Sequence, residues 1–270
     1  MGLFLRDKNK EIKKLEKKQD VKKLITLFEK ELDFDLRIKI INALKKIDNE
    51  ESYKFFLKLF ESKDHLYRRE AVKVMIQAKK YSSLEFLFLS LSDEDSDVRK
   101  YAVMALGDLK VAEAVIPLIE SFNDEDYYVR VAANDALEKM LTKDYLSEFL
   151  KALGHKNKSV RSYSLEALGR IGERSTADAV SPLLDDQEKE VRVSAAKTIH
   201  IFSDSKVISQ IISKLESQDK KVRKRAIQIL SHIGHPLALD AIAKLCETES
   251  DFILKQNAEE AVLMIKSLMG

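Results

Sequence analysis

Apolar residues in this chain follow a pattern that repeats every 31 residues. An arginine marks the pattern, and its successive positions differ by the same amount, as in 68 − 37 = 31. The arginines are Arg37, Arg68, Arg99, Arg130, Arg161, Arg192 and Arg223. A fixed period of this length is typical of proteins built from stacked repeats, in which each unit buries its apolar face against its neighbours.

Each arginine is predicted to lie near the start of a helix. Positions −1, +3, +7 and +10 around it are apolar or small, and they share one face of a helix. Position −4 carries a carboxylate or an amide in every copy, namely Asp33, Asp64, Asp95, Asp126, Asn157, Glu188 and Asp219. Such side chains accept hydrogen bonds from the free amides at a helix start, so they predict where each helix begins.

A second apolar stripe follows each arginine at +16, +19, +20 and +23, and predicts a second short helix. Glycines are expected at several joints between helices, at Gly107, Gly169, Gly172 and Gly234. No segment alternates polar and apolar residues well enough to predict strands. The fold class expected is therefore all-α, an α-solenoid of about eight two-helix repeats.

The two ends of the chain depart from the repeat. Residues 1–19 are rich in lysine and glutamate and are predicted to form a charged cap or a loosely docked helix. Residues 20–270 are predicted to form the solenoid as a single elongated domain. Leu254 occupies the eighth arginine position and indicates that stacking ends there.

Composition narrows the classes of function. The net charge is only +2 with 34% charged residues, which gives no general attraction to nucleic acid. The single cysteine, Cys246, fits a reducing compartment and a cytoplasmic location, and its core position predicts a buried, inert thiol. No apolar run approaches the ~18 residues that a transmembrane helix needs.

The repeat resembles a known family. Residues 95–109 read Asp-Ser-Asp-Val-Arg-Lys-Tyr-Ala-Val-Met-Ala-Leu-Gly-Asp-Leu, and Val160-Arg161 with Ala167-Leu168-Gly169 repeats the pattern. Both are similar to the short HEAT-like repeats of the phycobilisome-lyase type, over roughly residues 20–267. The resemblance implies a helical-repeat fold whose members include protein-binding scaffolds, chromophore lyases, a di-iron hydroxylase and DNA glycosylases.

The resemblance gives little support for enzymatic activity. The hydroxylases of the family use His-Glu dipeptides after the helix-start arginine. The matching positions here are Arg69-Glu70, Lys100-Tyr101, Val131-Ala132 and Ser162-Tyr163. The glycosylases rely on tryptophan, and this chain has none. We therefore expect a non-enzymatic scaffold that binds another protein, with no catalytic residue, no cofactor and no metal.

The arginines themselves are predicted to be structural. Residues that recur at one place in every repeat usually serve the stacking, so each arginine is expected beside a carboxylate that links repeats. A binding stripe of seven cations is the alternative. The positions that vary between repeats, at −3, −2, +1, +2, +5 and +9, point away from the core stripe and are predicted to form the binding surface on the concave side.

Two zones of that surface are candidate sites. The first contains Tyr101, Met104, Tyr127, Tyr128, Val131 and Tyr163. Tyrosine is favoured at interfaces because it joins a large apolar body to a polar tip, although some of these residues could instead pack between repeats. The second is basic and contains Lys220, Lys221, Lys224 and Arg225. It could hold an acidic partner or nucleic acid, or it could be a solvated helix start.

A metal site and a lyase-type function are two further hypotheses for this sequence. His232 and His235 form an H-x-x-H, but a zinc site needs three or four ligands that converge, so no metal site is expected. An accessory protein of the chromophore-lyase type is the remaining functional alternative, and no residue pattern supports it positively.

Overall fold

The computed structural model describes residues 2–47, 49–77 and 84–269, and within them the side chains of 7–47, 49–74 and 84–268. Of the residues predicted to form the apolar stripes, Ala78 lies outside the described residues, and so does the side chain of Met75. The chain divides into two compact units, Met1–Lys139 and Met140–Gly270.

The described part of the first unit consists of helices. They are α1 (Gly2–Lys17), α2 (Val21–Lys30), α3 (Phe34–Lys45), α4 (Glu50–Leu59), α5 (His65–Gln77), α6 (Leu84–Ser90), α7 (Ser96–Leu109), α8 (Val115–Glu120) and α9 (Tyr127–Glu138). Short 3-10 turns precede and follow α8, at Ala112–Ala114 and Ser121–Asn123.

The second unit continues the same alternation. Its helices are α10 (Leu146–Ala152), α11 (Lys158–Ile171), α12 (Ala177–Val180), α13 (Lys189–Phe202), α14 (Ser205–Ser213), α15 (Lys220–Ile233), α16 (Pro236–Thr248) and α17 (Phe252–Met269). No strand occurs in the described residues of either unit. The prediction of an all-α repeat fold is confirmed.

The repeats form two kinds of helix. We call α3, α5, α7, α9, α11, α13 and α15 the arginine helices, because each carries one of the seven arginines. The even-numbered helices from α2 to α16 are the intervening helices. Four pairs of arginine helices from adjacent repeats pack against each other within a unit: α5 with α7, α7 with α9, α11 with α13, and α13 with α15.

The acidic residues at position −4 start the arginine helices as predicted. The side chains of Asp33, Asp95 and Asn157 are the N-caps of α3, α7 and α11, and each accepts a hydrogen bond from a backbone amide of the first turn. Glu188 is the N-cap residue of α13, but its longer side chain makes no such bond. A carboxylate at this place also interacts favourably with the positive end of the helix dipole.

Only some of the predicted joint glycines lie at joints. Gly172 and Gly234 end α11 and α15 with φ values of +74° and +66°, a left-handed conformation that other residues adopt at a cost. Gly107 lies inside α7 instead. A Cβ atom built there would come within 2.4 Å of the Ala136 Cβ, so the absent side chain lets α7 and α9 approach closely.

The core of each unit is a continuous band of aliphatic side chains between the two kinds of helix. Leu106, Leu118 and Leu137 are fully buried in the first unit. Leu168, Ile199 and Leu230 are fully buried in the second, each at the same place after its arginine as Leu106 and Leu137. Burying a side chain of this size stabilises a fold by about 1.5–3 kcal/mol, so the stripe supplies the main force that holds adjacent repeats together.

The N-terminal segment is a docked helix. Ile12 and Leu15 of α1 are buried, and the Nζ atom of Lys8 lies 2.7 Å from a carboxylate oxygen of Glu31. At the opposite end, Cys246 on α16 is half-buried, so the prediction of a fully buried thiol was wrong. Burial raises the pKa of this thiol, as does the nearby Glu259.

The length and composition of the helices bear on whether any of them could span a membrane. None of the helices in residues 2–47, 49–77 and 84–269 combines the length and the apolar character that crossing a bilayer requires.

We predict that Gly107→Ala destabilises the protein by about 1–3 kcal/mol, because the added methyl group overlaps Ala136 on a packed helix. The matched control is Gly154→Ala, whose new Cβ meets only the Lys151 carbonyl oxygen, at 3.7 Å. Urea unfolding followed by circular dichroism measures both variants. Equal midpoints for the two would show that α7 and α9 can separate freely.

A candidate partner-binding surface on the arginine helices

The guanidinium groups bind backbone in a way that repeats along the chain. In Arg99, Nη1 donates to the carbonyl oxygens of Asp93 and Glu94, at 2.8 and 3.2 Å. The same pair of bonds, to the carbonyls six and five residues earlier, is made by Arg68, Arg130, Arg161, Arg192 and Arg223. This edge of the arginine therefore fixes the loop that leads into its own helix.

The other edge of the guanidinium binds a carboxylate from the next loop. Nε and Nη2 of Arg99 donate to the two oxygens of Asp124, at 2.8 and 2.9 Å. Arg68 pairs with Asp93 in the same two-bond geometry. Arg161–Asp186 and Arg223–Glu249 are the corresponding pairs of the second unit. Bidentate pairs of this kind are among the stronger hydrogen-bonded contacts in proteins.

We call the carboxylates that pair with the arginines the loop acids. They were not predicted from the sequence, although a signal for them was present. Asp93 and Asp124 are separated by one repeat (124 − 93 = 31), and Asp186 lies two repeats further on (186 − 124 = 62). Each is 25 residues after its arginine, as in 124 − 99 = 25. The carboxylates at position −4 are more regular, and they drew attention to the helix starts instead.

Burial and ion pairing shift the pKa values of these carboxyl groups in opposite directions. Burial alone would raise the pKa of the Asp124 carboxyl. Hydrogen bonds from Arg99 and from the backbone amide of Asp126 outweigh it and hold the pKa below its usual value. Asp93 and Asp186 have lowered pKa values for the same reasons, with Arg68 and Arg161 as their partners. The carboxylates stay ionised at neutral pH.

Three arginines depart from the pattern. Arg37 donates to the Glu31 carbonyl oxygen and to the Tyr67 hydroxyl, and it lies 5.2 Å from the ring centre of Phe28. Arg130 and Arg192 keep the two carbonyl contacts, but the residues 25 positions later are His155 and Ser217. Neither arginine has an ion pair with a carboxylate within the described residues.

Five of the six residues in the predicted tyrosine zone belong to α7 and α9 of the first unit. Tyr127 and Tyr128 are exposed by 63% and 66%, and their ring centres are 5.5 Å apart in an edge-to-face arrangement. Met104 and Val131 are also exposed. Tyr101 is half-buried, contrary to the prediction of an exposed position.

Cations sit against these rings. The Nζ atom of Lys100 lies 5.1 Å from the ring centre of Tyr101 and 6.0 Å from that of Tyr128. Arg130 lies 5.7 Å from the ring centre of Tyr127. Lys100 thus connects the tyrosines of the two adjacent helices. We call Tyr101, Met104, Tyr127, Tyr128 and Val131 the tyrosine surface. Tyr163 is half-buried on α11 of the second unit.

The predicted basic run at the start of α15 does not act as one cluster. Lys220 is hydrogen-bonded to Asp251, and Arg225 donates from Nε to Asp185 at 3.0 Å. Lys221 and Lys224 are exposed and form no ion pair within the described part of the chain. Internal pairing therefore leaves two of the four cations for an outside partner.

The two histidines of the H-x-x-H are held by local backbone contacts. The His232 Nδ1 atom lies 2.5 Å from the carbonyl oxygen of Gln228. His235 is the N-cap of α16 and accepts a bond from the Leu237 amide. Burial lowers the pKa of His235, and the neighbouring His200 lowers it further. Among the described residues, no three His, Cys, Asp or Glu side chains are grouped as metal ligands.

Comparison with known families identifies the repeat. The chain matches HEAT repeats over residues 61–138, 117–199 and 178–262. Together these stretches run from residue 61 to residue 262, well over half of the 270 residues. The resemblance inferred from the arginine pattern is confirmed. A search of curated proteins finds no match.

Solved structures show similar repeats at low identity. The chain is similar to human deoxyhypusine hydroxylase, with 15% identity, coverage of 99% and 100% of the two chains and a TM-score of 0.38. It is also similar to the phycocyanin lyase CpcE–CpcF of a Nostoc species, with 23% identity, coverage of 80% of this chain and 93% of that chain, and a TM-score of 0.34. A third similar structure is Kap95p in complex with RanGDP, with 13% identity, coverage of 90% of this chain and 40% of that chain, and a TM-score of 0.42. All TM-scores are below 0.5, so the family assignment rests on the repeat match.

We predict that Arg99→Gln lowers the free energy of unfolding by about 3–5 kcal/mol, since it leaves the half-buried Asp124 without its partner. Arg130→Gln, the matched control, removes hydrogen bonds to carbonyls and a contact with the Tyr127 ring but no carboxylate pair, and should cost about 1–2 kcal/mol. Denaturant unfolding of both variants gives the comparison. Equal losses would mean that the carboxylate contributes nothing.

Stability is also predicted to fall in acid. An aspartate whose folded pKa is below its unfolded value stabilises the fold fully above the unfolded pKa, and this contribution disappears as pH falls through the folded pKa. For Asp124 the loss begins below about pH 4, near the usual value of 3.8. Thermal unfolding of the protein and of Asp124→Asn from pH 7 to pH 2 should give curves that converge in acid. Parallel curves would contradict the assignment.

Proposed function

The chain belongs to the HEAT-repeat family, and we propose that it is a non-enzymatic scaffold that binds another protein through the tyrosine surface. Proteins of this family commonly act in protein–protein interaction, and a surface built from repeated helices suits that task because each repeat can carry different exposed residues. The tyrosine surface departs from an ordinary solvated helix face because four of its large apolar or aromatic side chains are exposed.

The observation that supports the proposal most directly is the exposure of two adjacent tyrosines on a rigid helix. Tyr127 and Tyr128 lie in the first turn of α9, directly after the N-cap Asp126. Their backbone is fixed by that cap and by the buried Val129. Because the backbone is fixed before binding, only the side chains have conformational freedom to lose when a partner covers them.

The chemistry of the surface favours a protein partner. Tyr128 offers an apolar ring and a hydroxyl, Met104 an adaptable thioether and Val131 a small apolar contact. Lys100 lies over the Tyr128 ring and Arg130 over the Tyr127 ring, so a partner meets aromatic side chains together with positive charge. Aromatic residues and arginine are the types enriched where interfaces are strongest.

The two alternatives are supported less well. Binding of nucleic acid or of an acidic partner through the basic run at α15 has Lys221 and Lys224 in its favour, while Lys220 and Arg225 are paired internally. An accessory role of the chromophore-lyase type has no residue of this chain to support it. Neither alternative accounts for the exposed tyrosines.

Affinity capture with quantitative mass spectrometry tests the proposal. The full chain and the double variant Tyr127→Ala/Tyr128→Ala are compared as baits in the native lysate. We expect the variant to lose a partner by at least about tenfold, because each buried tyrosine contributes on the order of 1–2 kcal/mol or more to an interface.

The matched control is Leu89→Ala on α6, which removes another apolar side chain exposed by 65%. This control should keep the partner, and circular dichroism should show unchanged helical content for all three baits. If the double variant retains every protein that the wild-type chain retains, the tyrosine surface is not the binding site.

A further inference from the structure

Arg192 is held in place by the repeat but lacks the carboxylate that its neighbours bind. Its Nη1 atom donates to the carbonyl oxygens of Asp186 and Gln187, both at 2.9 Å. In Arg161, one repeat earlier, Nε and Nη2 bind both oxygens of Asp186. The equivalent acid for Arg192 would stand at 192 + 25 = 217, where the chain has Ser217.

Arg192 lines a cavity. The cavity has a volume of about 360 Å³ and lies between α13 and α15. Lys189, Arg192, Arg225 and His232 are among the residues that line it. Arg225 donates to Asp185 and to the Leu184 carbonyl oxygen. Lys189 has no ion pair within the described residues, so the lining carries excess positive charge.

An apolar cavity adjoins the first one. It has a volume of about 370 Å³ and shares Val193 and His232 with its neighbour. Its lining includes the apolar residues Ile201, Ile233, Met264 and Leu268, from α13, α15 and α17, and also Lys197 and His200 of α13. Ile201 and Leu268 are more than half exposed. The two cavities together form one groove, which we call the α13–α17 groove, cationic at one end and apolar at the other.

We propose that the α13–α17 groove binds a segment of a partner protein that carries an acidic side chain beside apolar ones. A carboxylate of the segment takes the place on Nε and Nη2 of Arg192 that Asp186 takes on Arg161. The apolar side chains of the segment cover Ile201, Met264 and Leu268. The proposal extends the scaffold function to a second surface and names its partner's chemistry, and it does not depend on the tyrosine surface.

The repeat itself supports a carboxylate at this place. Four arginines of the chain hold a carboxylate on the same edge, three of them with bond lengths of 2.8–2.9 Å. Arg192 has the same backbone anchors, so its guanidinium is already oriented for a bidentate pair. Such pre-orientation lowers the entropy lost on binding and favours a planar, two-oxygen acceptor.

The distribution of charge favours a protein segment over nucleic acid. A nucleic-acid strand needs cations along its whole phosphate backbone. Here Lys189, Arg192 and Arg225 concentrate the positive charge at one end, where Asp185 lies beside Arg225. At the other end Lys197 is the one lysine or arginine among the described residues of the lining, and Ile201 and Leu268 expose apolar surface. An acidic and apolar peptide matches both ends of the groove.

Selection from a displayed library of random peptides tests the inference on the full-length chain. Enriched peptides should share an Asp or Glu next to apolar residues. One of them, labelled with fluorescein, is then titrated with the protein and followed by fluorescence anisotropy. Arg192→Gln should weaken its binding by about tenfold or more, as expected for the loss of a charge-assisted pair. Met264→Ser should weaken it as well.

Arg130→Gln is the matched control, because Arg130 also has carbonyl contacts and no carboxylate, but lies in the first unit. It and Tyr127→Ala/Tyr128→Ala should leave peptide affinity unchanged, so failure of the tyrosine surface and failure of the groove can be told apart. The inference is overturned if no peptide is enriched, if the enriched peptides lack an acid, or if Arg192→Gln binds like the wild-type chain. Tighter binding of a single-stranded oligonucleotide at the same residues would also overturn it.

Discussion

The structure depends on an arginine that holds two loops at once. One edge of the guanidinium takes two backbone carbonyls before its own helix, and the other edge takes a carboxylate after the next intervening helix. Asp124 shows the coupling most clearly, since its side chain binds Arg99 and its carbonyl binds Arg130. A residue inserted into one of these loops would disturb both contacts, which favours a constant loop length where the pair is present.

Because the arginines fix the frame, exposed positions can change without disturbing it. On α9 the frame is Val129 and Ala133, both buried, while Tyr127, Tyr128 and Val131 face solvent. Large apolar residues at such positions reduce solubility and add nothing to the core, so a surface that keeps them needs another reason. Contact with a partner is such a reason. The same holds for Ile201 and Leu268 in the second unit.

The repeat is incomplete at Arg192, and this position is the most informative one. At Arg192 the loop acid is replaced by Ser217, and the guanidinium lines a cavity instead of an ion pair. Keeping the acid would favour stability, because a bidentate pair at a half-buried site links adjacent repeats. Local departures from an otherwise consistent pattern are expected at functional sites.

Much of the fold could be read from the sequence. The period, the helix starts at Asp95 and Asn157, and the buried stripe at Leu106, Leu168 and Leu230 follow from local rules, because helix geometry converts spacing directly into faces. Gly107 was misplaced, since a glycine at a joint and a glycine at a close helix contact look alike until the neighbouring helix is present.

The candidate sites were harder to predict from the sequence than the fold. The sequence indicated which positions of the arginine helices vary, but the exposure of Tyr127 and the partial burial of Tyr101 depend on how α7 and α9 pack. The four adjacent cations at α15 appeared to be one cluster, and tertiary contacts to Asp185 and Asp251 divided it. The sequence by itself determined the repeat, its register and its family, because these depend on spacing along one chain. Only the tertiary structure decided which charges are neutralised and which apolar residues adjoin, because those depend on residues far apart in the sequence. Arg225 and its partner Asp185 are 40 residues apart, and Ile201 and Met264 of the groove are 264 − 201 = 63 residues apart.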